Sequence, residues 1–474
     1  MATLSHEALC ETMVPEPVTP TQEAGRRRAE TSERQRDAWL ILVMRGLRSL
    51  AYGVLAVLLG VSLAGEGFSP AAIGLLITVS LVGDVVGTYL IGLFADTWGR
   101  RSTLVFLALL MAGTGAIFGL VRSYPVLLVA AFFGTLGTSA SETAPFLPID
   151  QAMLAQITTP EQRTALFARY NLVASLSVAL GALVAGLPDL LVHLHLSQAS
   201  GIRLLFGVYA VLALVVARLS LCLSQDVEVP RRVSVQAQNH KPRLAPPLGR
   251  SRGMVWRLTA LFSVDALAGG LVVQSLMALF FHLRFGVPLT SLSALFFFAN
   301  LLSALSFLAA VPLSRRFGLL NTMVFTHLPS NVLLILVAFA PIFPIAATLL
   351  LLRQALSQMD VPTRQAYTMA LVAPEERTAA ASVTSLARSV GSASSPVFSG
   401  LLLQGSLLVF GLPFILAGAL KAAYDGSLWL LFRRVHLAEE EAHPAQKPGP
   451  SPQSTPPPSE EFRTSSEDER SVNQ

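Results

Sequence analysis

Apolar stretches of roughly 20 residues, enough to cross the hydrocarbon core of a bilayer, recur along this chain with short polar turns between them. Their apolarity is continuous rather than alternating, which does not fit barrel strands. Backbone groups in lipid must be satisfied within their own segment, so each stretch is expected to be a helix. The pattern places spans at about 38–64, 70–95, 102–120, 124–147, 170–191, 203–224, 255–282, 290–312, 320–340, 343–365, 379–403 and 408–432. The fold class expected is therefore an all-α membrane protein of twelve transmembrane helices.

Composition agrees: 53% of residues are hydrophobic and 13% charged, about half the charged share of a soluble domain and too little to cover a water-soluble surface. The net charge of +5 does not point to nucleic acid, because the basic residues sit in loops beside the spans. One side collects the cluster from Arg26 to Arg36, Arg100, Arg101, Arg163, Arg169, the group from Arg231 to Arg252, Arg315, Arg316, Arg364, Arg377, Arg433 and Arg434. The other has Arg122, Arg203 and Arg284. By the positive-inside rule both termini are expected to be cytoplasmic. The first 37 residues lack an apolar signal core, so the first span is expected to direct insertion. Cys10 and Cys222 imply no disulfide framework.

The polar, Pro-interrupted stretch 225–254 divides the spans into two sets of six. The expected organisation is a disordered cytoplasmic tail at 1–37, a six-helix bundle at 38–224, a cytoplasmic linker at 225–254, a second bundle at 255–432 and a disordered cytoplasmic tail at 433–474. A repeat relates the halves. Pro148-Ile-Asp-Gln-Ala followed by Pro160-Glu-Gln-Arg-Thr-Ala matches Pro362-Thr-Arg-Gln-Ala followed by Pro374-Glu-Glu-Arg-Thr-Ala at one constant offset, each copy after a fourth span. The two bundles are thus expected to be pseudo-symmetric.

Between spans two and three lies Gly92-Leu-Phe-Ala-Asp96-Thr-Trp-Gly99-Arg100-Arg101, with a degraded copy, Ser314-Arg315-Arg316-Phe317-Gly318, after span eight. It resembles the G-x-x-x-D-x-x-G-R-[KR] signature of the major facilitator superfamily, and the resemblance extends over residues 38–434 in span count, duplication and linker. Gly92 is expected to allow close helix approach, Gly99 a tight turn, and Asp96 to set a carboxylate at the end of span two. The resemblance implies that Asp96 locks the halves together; Arg388 in span eleven is its expected partner in a gate with Arg100 and Arg101. A solvated loop obeying the positive-inside rule is the plainer alternative.

Charges inside spans are costly and ask for a partner or an aqueous cavity. The resemblance implies that spans one, four, seven and ten line a central cavity, and these carry Arg45, Arg48, Glu142, Asp265, Arg353 and Asp360. Arg48 and Asp265 occupy equivalent midplane positions. They are expected either to pair permanently, or to divide the work, with Arg48 and Arg353 holding an anionic group while Asp265 exchanges a proton. Glu142 and Asp360 lie nearer the cytoplasmic ends of spans four and ten, where a side chain can reach water, and read rather as interface residues. Asp84 in span two is a second candidate for protonation and competes with Asp96 for Arg388. Lys421 and Asp425, at i and i+4, are expected to neutralise one another. Gln274, Gln354 and Gln358 add hydrogen-bonding capacity.

The function expected is secondary active transport of a small organic solute by alternating access, with proton coupling and efflux implied by the resemblance. Uniport or sodium-coupled carriage of a metabolite, and a non-transporting scaffold or sensor, are the alternatives. The only partial match in span five, Gly181 to Pro188, to the G-x-x-x-G-P signature of proton-coupled exporters leaves direction open. No phosphate-binding loop or catalytic constellation occurs, so no enzyme activity or cofactor is expected. His193 and His195 stand without a metal-ligand set. The expected partners are the lipid bilayer, a small-molecule substrate and protons, in a plasma or bacterial inner membrane. If Asp96 and Arg388 pair, exchanging their charges together restores the transport that each single substitution abolishes; a double exchange as inactive as the singles in a proteoliposome flux assay refutes the pairing.

Overall fold

The computed structural model describes residues 20–138, 145–228, 251–372, 376–405 and 409–434. The sequence-expected Glu142, most of the linker and the segment from 435 onward lie outside the described residues. The first half comprises α1 (Pro20–Gly65), α2 (Pro70–Trp98), α3 (Arg100–Leu120), α4 (Tyr124–Phe133), α5 (Phe146–Ile157), α6 (Pro160–Val184), α7 (Leu187–Val192) and α8 (Gln198–Leu221). The second comprises α9 (Arg252–Leu271), α10 (Gln274–Phe285), α11 (Leu289–Phe317), α12 (Leu319–Phe339), α13 (Phe343–Ser357), α14 (Asp360–Leu371), α15 (Arg377–Ser394), α16 (Pro396–Leu402) and α17 (Leu412–Phe432). No strand occurs among the described residues.

Local chemistry sets many of the boundaries. The Ser69 and Ser197 hydroxyls accept from the backbone N–H groups of Ala72 and Ser200, capping α2 and α8. Proline stands in the first turn of α2, α4, α6, α13 and α17, where its missing N–H costs nothing. The helix α1 begins at Pro20, inside the segment expected to be a disordered tail. Residues 21–36 are rich in Glu, Ala, Arg and Gln, strong helix formers that continue the membrane helix outward.

Nine helical stretches among the described residues are long and apolar enough to cross a membrane. The other three expected spans, at 124–147, 343–365 and 379–403, fall on pairs of shorter helices, α4 with α5, α13 with α14, and α15 with α16. Helix length alone does not establish a crossing at these three. Two of the causes are visible. Pro396 cannot donate to the preceding turn, so α15 stops at Ser394, and Gly134 and Gly137 sit in the extended stretch after α4. The span-seven helix is also interrupted, at Val272 and Val273, directly after Gly269 and Gly270.

Each half packs mainly on itself, α1 on α6 and α3 on α8 in the first, α9 on α15 and α12 on α17 in the second. The halves meet mainly where α2 packs on α15 and α16, α6 on α11, and α1 on α10, with α1 and α7 also touching α11. One of these is glycine on glycine. A Cβ on Gly74 would lie 2.6 Å from the Pro396 carbonyl oxygen and 2.9 Å from Gly400 Cα, so only glycine lets these backbones meet. Beside it the Val397 N–H donates to Thr78 Oγ1 (2.9 Å), and between α11 and α7 the Thr290 N–H donates to Asp189 Oδ2 (2.8 Å). This seal lies toward the arginine-poor loops. Gly92, expected at a close approach, faces open space on the surface of α2; Gly53 and Gly181 take that role between α1 and α6.

The fit of Gly74 to Gly400 gives a direct test. Any side chain at these positions must part the two backbones, so Gly74→Leu and Gly400→Leu should each lower solute flux in proteoliposomes by about tenfold or more at equal insertion; full flux in both shows that transport does not need this contact.

Candidate functional site

A cavity of about 580 Å³ lies between the halves, on the arginine-rich side of the Gly74–Gly400 contact, walled by α1, α2, α6, α9, α10, α11, α13, α14, α15 and α17. Its wall carries five cationic side chains, Arg45, Arg353, Arg364, Arg388 and Lys421, against one carboxylate, Asp265. Such an imbalance inside a membrane bundle requires close pairing, and Asp265 supplies most of it. Lys421 Nζ donates to Asp265 Oδ1 at 2.5 Å; Arg388 and Arg364 donate to Oδ2 at 3.0 and 3.2 Å. Arg364 is shared with Asp360 one turn earlier on α14, at 2.7 Å.

Arg353 is left over. It is 8% exposed, its NH1 group donates to Gln354 Oε1 at 2.5 Å, its Nε finds no acceptor, and no carboxylate comes within ion-pair distance among the described residues. Arg45 reaches the cavity from α1 with its guanidinium 4.8 Å from the Tyr170 ring centre. Gln274, Gln354 and Gln358 all face the same space, beside Asn300 and Ser303. The cavity thus holds donors in excess of acceptors.

Arg48 is not part of it. Its side chain is fully buried in the first half, where it is ion-paired with Asp150 of α5 and stacked on Phe146, while the Tyr170 hydroxyl donates to the same carboxylate oxygen at 2.7 Å. The expected Arg48 to Asp265 pair is therefore corrected: each has a partner within its own half. Asp150 and Arg364 are the same position of the internal repeat, Pro148-Ile-Asp150 and Pro362-Thr-Arg364. In each half, then, a span-one equivalent pairs with the repeat residue, Arg48 with Asp150 and Asp265 with Arg364, with the signs reversed. The repeat held the signal that these residues are partners, since its two copies carry opposite charges at that place.

Other expectations change as well. Arg364, counted among the loop arginines, is buried in α14, and Asp360 is buried beside it rather than at an interface. Lys421 turns to Asp265 and not to Asp425; Asp425 accepts instead from His327 Nδ1 (2.9 Å) and Asn331 Nδ2 (2.8 Å) of α12. Helix geometry allowed the i, i+4 pair, but Asp265 offers Lys421 a carboxylate at the cavity wall. Arg388 is 30% exposed and engaged with Asp265, so it does not neutralise Asp84, whose Oδ1 is buried without a partner. The Asp96 side chain lies outside what the structure describes.

The loop motif is anchored elsewhere. Gly99 adopts φ +94°, the tight turn expected of it, and the Arg100 and Arg101 backbone N–H groups donate to the Glu228 carboxylate at 2.7 and 3.0 Å. An anion at the start of α3 also suits the helix dipole. The Arg100 guanidinium donates to Gln156 Oε1 (2.8 Å) and that of Arg101 to the Leu221 carbonyl (2.8 Å). The sequence pattern held no sign of Glu228, which lies 127 residues from Arg101.

A multi-pass helical bundle in which two repeat-related halves enclose a solute-sized polar cavity is the architecture of a membrane transporter. The family model of the Major Facilitator Superfamily matches residues 41–356, and the chain belongs to that superfamily. An uncharacterized membrane protein of Saccharomyces cerevisiae is 28% identical over 423 residues, 84% of this chain and 94% of the yeast protein. Among solved structures, a mutant of the nucleoside transporter NupG superposes with a TM-score of 0.68 at 14% identity, covering 83% of this chain and 99% of its own. A D-xylose-proton symporter gives 0.64 at 15% identity, covering 83% and 97%.

The buried Arg48–Asp150 pair yields a stability prediction. Asp150→Asn strands a buried cation and should destabilise the protein by about 3–5 kcal/mol, whereas Arg48→Met with Asp150→Leu should recover most of the loss. Thermal unfolding in detergent checks this; equal melting temperatures for Asp150→Asn and the parent protein would show the pair to be idle.

Proposed function

We propose that this chain is a secondary transporter of a small organic anion, working by alternating access of the central cavity. The observation that carries the reading is the charge of the wall: five cations and one carboxylate, with Arg353 unmatched by an anion. A guanidinium presents paired donors to a carboxylate or phosphate, and in a site shielded from water such a contact is strong and orienting. A cation or an apolar solute gains nothing from this wall.

The same arrangement supports coupling to protons. An anion that reaches Arg353 also competes with Asp265 for Arg388 and Lys421. Bringing net negative charge into the bundle is costly, and a proton taken up on Asp265 restores the balance. Substrate and proton would then favour one another's binding, since linkage is reciprocal. Asp265 is thus a competitor for the cations and a proton carrier rather than a direct substrate ligand. The halves, taken as 38–224 and 255–432, would rock about this site with the seal at Gly74 and Gly400 opening as the arginine-rich end closes. On the positive-inside assignment the described state faces the cytoplasm, and the gate between Asp96 and Arg388 belongs to the opposite state.

The test is a counterflow screen in proteoliposomes with mono- and dicarboxylates, organic phosphates, amines and sugars, recording internal pH. Anion exchange should be saturable and accompanied by proton movement, and Arg353→Gln should weaken it at least tenfold. Exchange of amines or sugars with no response to Arg353→Gln overturns the anion reading, and anion exchange without proton movement overturns the coupling.

A further inference from the structure

A second cavity, of about 340 Å³, lies in the first half between α2, α3 and the end of α4, apart from the central one. Its walls are apolar, with Leu90, Phe94, Trp98, Phe106 and Phe133 among them, and these five side chains are also between 45% and 64% exposed on the surface of the bundle. In a membrane protein such a surface is met by lipid chains, so the groove opens sideways into the bilayer. At its inner wall is Asp84, 4% exposed, midway along α2 and so roughly 20 Å from either helix end. Its Oδ1 is buried without a hydrogen bond, and no cation is paired with it among the described residues.

A carboxylate at that depth asks for a cation or a proton, and every other buried carboxylate described here has a partner: Asp37, Asp150, Asp265, Asp360 and Asp425 are all bonded. No side chain among the described residues donates to the buried Asp84 Oδ1. The extended stretch after α4 brings Thr135 to the cavity wall, and the Thr135 carbonyl already receives the Tyr209 hydroxyl while its Oγ1 receives that of Tyr52. An occupant that brings a donor and a positive charge on an apolar body satisfies both the carboxylate and the groove. We propose that the groove is a lateral binding site for a lipophilic amine, its ammonium on Asp84 and its hydrocarbon between Leu90, Phe94, Phe106 and Phe133. The depth separates this from a phospholipid headgroup, whose ammonium stays at the membrane surface. The site is independent of the central cavity and opposite to it in charge preference.

Equilibrium binding of radiolabelled dodecylamine to the full chain in phosphatidylcholine nanodiscs, with empty nanodiscs subtracted, tests this against dodecanol and dodecanoate of equal chain length. Saturable binding of the amine alone is expected, at least tenfold weaker in Asp84→Asn and retained in Asp84→Glu. Leu90→Trp, which fills the groove away from the carboxylate, should also weaken it tenfold and decides the matter should Asp84→Asn fail to fold. Saturable binding of dodecanol equal to that of the amine, or wild-type affinity in Leu90→Trp, overturns the proposal.

Discussion

One carboxylate organises the second half of this protein. Asp265 on α9 receives Lys421 of α17, Arg388 of α15 and Arg364 of α14, so three helices from distant parts of the chain are registered on two oxygen atoms. In water such contacts would each be worth little. Within a membrane bundle the alternative to pairing is a stranded charge, and the geometry is correspondingly constrained. The position of the central cavity follows, because these side chains line it.

The interruptions of the helices serve the same site. α13 ends at Ser357 and α14 begins at Asp360, so Arg353 and Arg364 are carried on separate segments and approach the cavity from different directions. The break between α9 and α10 brings Gln274 to the wall, and that after Ser394 allows α16 to lie against α2 with Gly400 on Gly74. Irregular backbone is tolerable at membrane depth where protein or a cavity, rather than lipid, surrounds it. Each half thus combines long unbroken helices with breaks at the cavity wall or at the contact between the halves.

The fold is legible in the sequence because a bilayer imposes length and apolarity on every crossing segment, and the repeat and the Gly99 turn add the duplication and the family. The site is legible only in part. Asp265, Arg353 and Arg45 stand out as charges in apolar segments, but partnership depends on how helices rotate about their axes, which periodicity does not specify in an all-apolar environment. For that reason spacing alone pairs Lys421 with its own helix neighbour and sets Arg48 against the wrong half. Arg364 escapes notice because apolarity fades near it and the span is drawn to end beside it, and Glu228 because a loop carboxylate has no pattern around it.

The reversed signs of Arg48–Asp150 and Asp265–Arg364 bear on biogenesis as well as transport. Duplicated halves of like shape risk exchanging equivalent helices as they leave the insertion machinery. Here the helix of Arg48 placed in the second half would set two arginines together, Arg48 on Arg364, and the helix of Asp265 placed in the first would set Asp265 on Asp150. Either mistake buries like charges where water cannot screen them. The reversed signs thus set an electrostatic penalty against that exchange, in each half.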